Sequence, residues 1–471
     1  MKNFFFAILV LIGCSASNAK VVTSLDVKKD TVVAFTTSAD QNKLLAKSIL
    51  TLSNAATVNA SNNIAIDPAV TFQSIDGFGY TLTGGSAQLL NKISPAKKIE
   101  VLQNLFNPQN ADGIAVSYLR VSIGASDLDS SVFSYDDITM GQEDLLLNHF
   151  SLSRDTVHLI PILKQILAIN PTIKILASPW SPPTWMKSNQ NSMGGTLLSK
   201  YYNVYAQYLA KYITLMKSNG ITIDALTIQN EPENDKNNPS LLMNASEQTN
   251  FIKTYLGPIF QQQHISTKIV LFDHNCDHPE YPISVLNDVQ AAAYVDGTAF
   301  HLYLGSVSAL SSVKAAHPSK NLYFTEQWTG STGSFSGDFI WHMKNVIIGT
   351  MNNWSKNALE WNLANDPFYQ PHTTGGCTQC KGALTINGDD CSKNVSYYII
   401  AQASKFIPQG SLRISSSDIA NLDNVAFVTP QGKRVLIVLN STNTSQSFSV
   451  TCSGKTFSTT LQAQAATTYT W

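Results

Sequence analysis

With 471 residues and 44% hydrophobic content, the chain is long enough for more than one domain and a sizeable core. Charged residues are 13% and the net charge is −1, against roughly 25% charged in an ordinary globular chain. That balance excludes the basic footprint of a nucleic-acid binder and gives no attraction for an acidic polymer.

Met1-Lys2-Asn3, an apolar run from Phe4 to Gly13 and a small-residue exit make a secretory signal. The run is too short to span a bilayer. Leu11-Ile12-Gly13-Cys14 resembles a lipoprotein box that would acylate Cys14, whereas Ser17-Asn18-Ala19 resembles an ordinary cleavage site before Lys20. We take the second, with residues 1–19 removed and the chain secreted or periplasmic. The alternative is an outer-membrane lipoprotein held through Cys14.

Residues 20–72 are rich in Thr, Val, Ser and Asn. Short runs at Thr31–Thr36 and Asn63–Ile66 read as strands of a side domain, with a helical interruption over Gln41–Leu50. The glycine-rich Ile75–Ser86 then follows. Its glycines let the backbone turn sharply, and no Gly-Lys-Ser/Thr is present to make it a phosphate cradle.

From there strand and helix alternate. Strands are expected at Gly77, Tyr118–Ile123 (carrying Arg120), Ile173–Ser178, Ile221–Ile228, Lys268–Phe272, Gly297–Tyr303, Asn321–Thr325 and Ala358–Trp361. Helices are expected at Thr156–Ala168, Leu197–Ser218, Phe251–Phe260, Pro282–Val289, Val307–Ala316, Asp338–Met351 and Val395–Phe406. Eight alternating units argue for a parallel sheet closed into a (β/α)₈ TIM barrel over residues 73–406. Residues 407–471 change to short alternating strands with Gly, Asn and Ser turns. They read as an attached β-sandwich, completed by the N-terminal strands.

Two carboxylates stand out. Ile221–Ile228 runs into Gln229-Asn230-Glu231-Pro232, and the proline cannot continue a sheet ladder. Glu231 is thereby expected at the C-terminal end of strand four. Glu326 follows the apolar Leu322–Thr325 at the end of strand seven. Catalytic residues of a barrel sit at that end, and two glutamates there are what hydrolysis of a glycosidic bond by retention needs. We expect Glu231 to act as acid/base and Glu326 as nucleophile. Asn230 is placed to bond a sugar 2-OH, and Arg120 to hold Glu326 ionised. His301 and Tyr303 end strand six, and His301, one strand before the nucleophile, is placed either as a structural residue or to orient Glu326 or substrate. Trp180, Trp328 and Trp361 lie near strand ends, where sugar rings stack on indoles.

Asp273–Glu280 gathers N, O and S donors, but without a zinc-binding spacing, and reads as a polar loop lining the pocket. Cys377 and Cys380 read as a local disulfide in an exported protein. The neighbouring His372, Asp390 and Cys391 offer a weaker zinc reading. No metal is expected.

Asp76–Gly79, Leu176–Trp185, Thr227–Pro232, Ala299–Tyr303, Tyr323–Trp328, Glu360–Ala364 and Ser404–Gly410 together resemble glycoside hydrolase family 30, the glucosylceramidase-like family. The resemblance implies retention of configuration, no cofactor, and sugar contacts by Trp180, Asn230, Tyr303 and Trp361 around Glu231 and Glu326. Members that cleave glucosylceramide carry Gly-Ala-Met-Thr-Asp in the first loop. Here the stretch is Tyr80-Thr81-Leu82-Thr83-Gly84, so the Asp that holds a terminal glucose is replaced by Gly84. Gln327-Trp328 adds an aromatic wall after the nucleophile. With Gly375–Cys380, these features are similar to the microbial β-1,6-glucanase branch. The expectation is an endo-β-1,6-glucanase acting on β-glucan, with a glucosylceramidase or exo-β-glucosidase as first alternative and a non-catalytic glucan-binding protein as second.

Overall fold

A computed structural model describes Met1 and residues 31–54 and 62–471. The segment expected to be a signal, with Cys14, lies outside the described residues. Eight parallel strands form one sheet: Gly77–Thr81, Tyr118–Ile123, Lys174–Pro179, Ala225–Thr227, Lys268–Cys276, Val295–Gly305, Asn321–Glu326 and Asn357–Asn362. Their spatial order follows the chain, and strand eight pairs with strand one. Strands seven and eight close the barrel through a bridge between Leu322 and Ser355. Beside it the Asn357 side chain accepts from Phe324 N–H at 2.8 Å, so a side chain takes over a ladder bond.

The barrel is filled rather than hollow. Tyr118, Leu176, Ala225, Val270, Ala299, Tyr323 and Leu359, one from each of seven strands, pack into an apolar layer on the axis. Bulky and small residues share that layer because the interior is narrow. Outside the strands, helices seal the barrel with apolar faces. In Tyr202–Ser218, for example, Tyr205, Leu209, Tyr212 and Met216 recur at helical spacing and are fully buried.

The second layer architecture is a ten-stranded sheet that mixes both ends of the chain. The strand Thr31–Ser38 pairs with the last strand, Ala465–Thr470, and Asn63–Ser74 pairs with Leu412–Ser416. Its own core holds Val32, Ile64, Leu436, Val438, Phe457 and Tyr469. Gln402, on the last barrel helix, bonds both Thr37 and Thr468 and so ties the two units together. Among the described residues no helix is long and apolar enough to cross a membrane.

Three expectations change. Gln41–Leu50 is not helical: Ala46–Thr51 is a strand antiparallel to Thr31–Ser38, because a partner edge is available there and outweighs a weak local propensity. The expected strand Ile221–Ile228 is sheet only over Ala225–Thr227. The expected polar loop beginning at Asp273 is instead strand as far as Cys276. Two helices fill the first crossover, Gly84–Lys92 and Pro95–Phe106. The second starts from a Ser94 cap followed by proline, a signal visible in the sequence.

Candidate active site

Successive residues of a strand face opposite sides, so the layer above the apolar one is set two residues further on. Those positions are Arg120, Ser178, Thr227, His301, Thr325 and Trp361, all buried. The polar residues converge on one group, the Asp273 carboxylate. Its Oδ2 accepts from Arg120 Nη2 at 2.8 Å, Ser178 Oγ at 2.7 Å and Thr227 Oγ1 at 2.8 Å. Its Oδ1 accepts from Thr325 Oγ1 at 2.6 Å and meets His301 Nε2 at 3.1 Å.

Simple alternation from Val270 would point Phe272, not Asp273, at the axis. The register with strand six shifts between Ala299 and Phe300, and Phe272 and Asp273 take left-handed φ values of 71° and 64°. This conformation costs roughly 1–2 kcal/mol per residue. It turns the carboxylate inward, where donors surround it, and sends the phenyl ring into the outer core.

Glu231 does not end the strand. The chain leaves the sheet after Thr227, and Asn230 N–H donates to Pro179 O at 2.8 Å. Glu231 itself is left-handed, φ 47°, with its N–H on Asp273 O at 3.0 Å. This pinned turn aims the carboxylate back over the barrel mouth. Oε2 accepts from Asn234 Nδ2 at 2.7 Å, and Oε1 lies 3.2 Å from His301 Nδ1. Glu326 does end strand seven. A second register shift sets it opposite His301 rather than out of line. Arg120 Nη1 donates to its Oε2 at 2.5 Å and the Tyr303 hydroxyl to its Oε1 at 2.8 Å.

His301 therefore stands between the two glutamates, its Nδ1 3.2 Å from Glu231 Oε1 and 3.8 Å from Glu326 Oε1. Those distances bring the two oxygens within about 7 Å. This suits the ~5–5.5 Å of a retaining pair and only the shortest edge of the ~6.5–9.5 Å range of inverting pairs.

The charges are coupled. Burial works against an imidazolium, but Glu326, Asp273 and Glu231 outweigh it and push His301 up to about 9. Burial also works against an ionised Glu231, but bonds from His301 and Asn234 hold it down to about 2. Burial raises Glu326, opposed by His301 and Arg120. With His301 Nε2–H committed to Asp273, one proton is left between Nδ1 and Glu231 Oε1. Whichever atom holds it at rest, Glu231 is the end of that pair facing the cavity.

The cavity above, about 620 Å³, is lined by Glu231, Glu326, Asp127, Tyr303 and the indoles of Trp180, Trp328 and Trp361. Trp180 and Trp361 stack with centroids 5.3 Å apart, and the Arg120 guanidinium lies 4.6 Å from the Trp180 centroid. Both indoles are nearly buried and form floor and wall, whereas Trp328 presents more of its face. Cys377 and Cys380 are disulfide-bonded and pack against this aromatic group.

Each candidate from the sequence thus lies in or under one cavity. Glu231, Glu326, Tyr303, Trp180, Trp328 and Trp361 line it, while Arg120, Asn230 and His301 lie beneath. Asn230 Oδ1 is taken by Arg120 Nη2 at 2.5 Å, which leaves its amide nitrogen to donate. His301, expected to orient Glu326 or substrate, is closer to Glu231 than to Glu326. Glu231, His274 and His301 converge closely enough to ligate a cation, but here Glu231 and His301 are already joined to one another and to Asp273.

Sequence reasoning missed Asp127 and took Asp273 for part of a pocket-lining loop, its inward turn being hidden by the register shift. Asp127 follows strand two in an irregular run. It accepts from Cys377 N–H at 3.1 Å, while burial and the nearby Glu326 push its carboxyl up to about 7. Gly84 is explained by the same run: a Cβ there would lie 1.7 Å from Asp129 Oδ1. The space that an aspartate side chain would need at this position is already filled by that buried carboxylate, which is bonded to Ser126.

Glycosyl hydrolase family 30 accounts for both units of the chain. Its TIM-barrel domain matches residues 75–407 and its beta-sandwich domain residues 410–469. Endo-1,6-beta-D-glucanase neg1 of Aspergillus fumigatus is 33% identical over 84% of this chain and 85% of its own length. Lysosomal acid glucosylceramidase of Mus musculus is 28% identical over 80% of this chain and 77% of its own. A solved structure titled "The endo-beta1,6-glucanase BT3312" superposes with a TM-score of 0.86 at 34% identity, covering 93% of this chain and 99% of that one. The chain belongs to glycoside hydrolase family 30 and is an O-glycosyl hydrolase.

Proposed function

We propose that the protein hydrolyses β-1,6-glucan internally, with retention of configuration, and that Glu326 is the nucleophile and Glu231 the acid/base. The observation that carries this reading is the pair of glutamates flanking His301 at the base of a tryptophan-lined cavity. Glu326 Oε2 is held by Arg120, so Oε1 attacks the anomeric carbon as the Tyr303 hydroxyl yields its bond. Glu231 gives its proton to the departing glycosidic oxygen. Burial beneath a bound sugar disfavours the charge-separated His301–Glu231 pair and favours the neutral one, which moves the proton to Glu231. Water, deprotonated by Glu231, then cleaves the glycosyl–Glu326 ester and restores both groups. The Asn230 amide serves the sugar 2-OH, and Asp127 a hydroxyl further along the ring.

The linkage rests on the relatives: the two β-1,6-glucanases named above match this chain at 33–34% identity over most of both lengths. Product analysis on pustulan, β-1,3- and β-1,4-glucans and glucosylceramide tests it. Gentio-oligosaccharides from pustulan support the reading. Glucose from glucosylceramide with pustulan untouched rejects the linkage but keeps the chemistry. We also infer export through residues 1–19. It is supported by the signal-like run and by a disulfide of the kind that oxidising compartments preserve. Recovery of the protein from the reducing cytoplasm with its N-terminus intact would refute it.

A further inference from the structure

Barrel strand two ends at Ile123 and the next helix begins at Leu159, so residues 124–158 cross the barrel rim without helix or strand. Excursions of that length need their own fastening. This one carries Asp127 at its start and so bears on the sugar pocket.

Midway along it, Asp136 is wholly buried, and neither of its carboxylate oxygens meets a donor of the protein. Its backbone oxygen is fixed by Trp185 Nε1–H at 3.1 Å, from the neighbouring strand-three loop. Asp144 is also buried. Its Oδ2 accepts from His149 N–H at 2.7 Å and lies 2.9 Å from His149 Nδ1. One donor atom from each of Asp136, Asp144 and His149 lies within 4.8 Å of the others. Among the described residues, neither carboxylate pairs with a lysine or arginine; the side chain that meets Asp144 is the His149 imidazole. Two buried carboxylates facing one another need either a shared proton or a cation between them. The His149 ring, 69% exposed, opens one side of the cluster to solvent.

We infer that Asp136, Asp144 and His149 form a structural site for a divalent cation, separate from the sugar pocket, which cross-links the 124–158 excursion internally, next to the point where Trp185 of the strand-three loop bonds the Asp136 backbone. Two carboxylates and one imidazole suit Zn²⁺ or Mn²⁺, which accept mixed oxygen and nitrogen donors, more than Ca²⁺, which takes roughly six to eight oxygens. The exposed side leaves room for water ligands. A bound cation would neutralise the two facing carboxylates.

The test uses the full-length mature protein, dialysed against EDTA and then titrated separately with ZnCl₂, MnCl₂ and CaCl₂ by calorimetry, with metal content read by mass spectrometry. The expected result is one equivalent of Zn²⁺ or Mn²⁺ and a rise in Tm of a few degrees at saturation. Asp136→Asn should weaken binding at least tenfold. His149→Ala, an exposed change outside the sugar site, should weaken it while leaving kcat on an aryl β-glucoside unaltered. Two results overturn the inference. One is binding of equal strength in native protein and both variants, which puts the ion elsewhere. The other is no binding in the native protein together with an Asp136→Asn variant of equal or higher Tm, which assigns the cluster to a shared proton.

Discussion

Asp273→Asn is the most informative perturbation of the site, because it alters one charge while keeping nearly the same shape. The carboxylate faces five donors, one of them the His301 imidazole, and both it and Arg120 are fully buried. An amide presents an NH₂ to groups that are themselves donors and leaves Arg120 with less countercharge. Breaking a buried pair in this way costs about 3–5 kcal/mol. Unfolding entropy of about 2.1 cal/mol/K per residue converts that, over a chain this long, to a Tm lowered by roughly 3–5 °C. Two functional effects accompany it. Arg120 loses its fixed position under Glu326, and misplacement of a reacting group by about 1 Å costs on the order of 10²-fold in kcat. His301 loses one of the carboxylates that hold it at about 9, so the alkaline limb of the pH–rate profile moves to lower pH. Differential scanning calorimetry and kcat/KM against pH on an aryl β-glucoside measure all three. A Tm within about 1 °C of the native value, with the alkaline limb in place, would refute the claim that Asp273 anchors the site.

Glu326→Gln should keep the native Tm within a few degrees and reduce turnover to under about a thousandth; substantial residual activity would reassign the nucleophile. Glu231→Gln should cost ~10²–10⁴-fold, with less loss on substrates whose leaving group needs no proton, and equal losses on both kinds would contradict its role as acid. The native pH profile should be a bell. Its acid limb follows Glu326, whose carboxyl burial raises against the pull of His301 and Arg120, and its alkaline limb follows loss of the proton shared by His301 and Glu231 near 9. The stability linked to His301 has the sign of a raised pKa: complete below its ordinary 6.5 and lost as pH rises through about 9, which urea midpoints across that window would register. Gly84→Asp should not create a glucosylceramidase but lower Tm, since its Cβ meets the buried Asp129 carboxylate; a stable variant that cleaves glucosylceramide would overturn that account.

The sequence by itself determined the architecture and singled out the two glutamates of the proposed pair. Strand and helix alternate visibly from Gly77 to Phe406, and Glu231 and Glu326 each follow an apolar run that only a strand or its exit explains. Two-residue periodicity also put Arg120 and His301 on the axis, since each lies two positions beyond a residue of the apolar layer. What periodicity cannot carry is its own interruption. Asp273 reaches the axis only because two left-handed residues and a register shift turn it inward, a conformation held in place by donors from other strands. Glu231 likewise owes its aim to a turn tied to Asp273 and Pro179, not to the end of a strand. Asp127, Asp129 and Asp136 sit in an irregular excursion with no period to read, and their burial depends on Cys377, Gly84 and Trp185 from distant segments. Local pattern dictates which face a residue takes within a strand; where a backbone leaves the regular geometry, only the partners gathered by the folded chain decide what it points at.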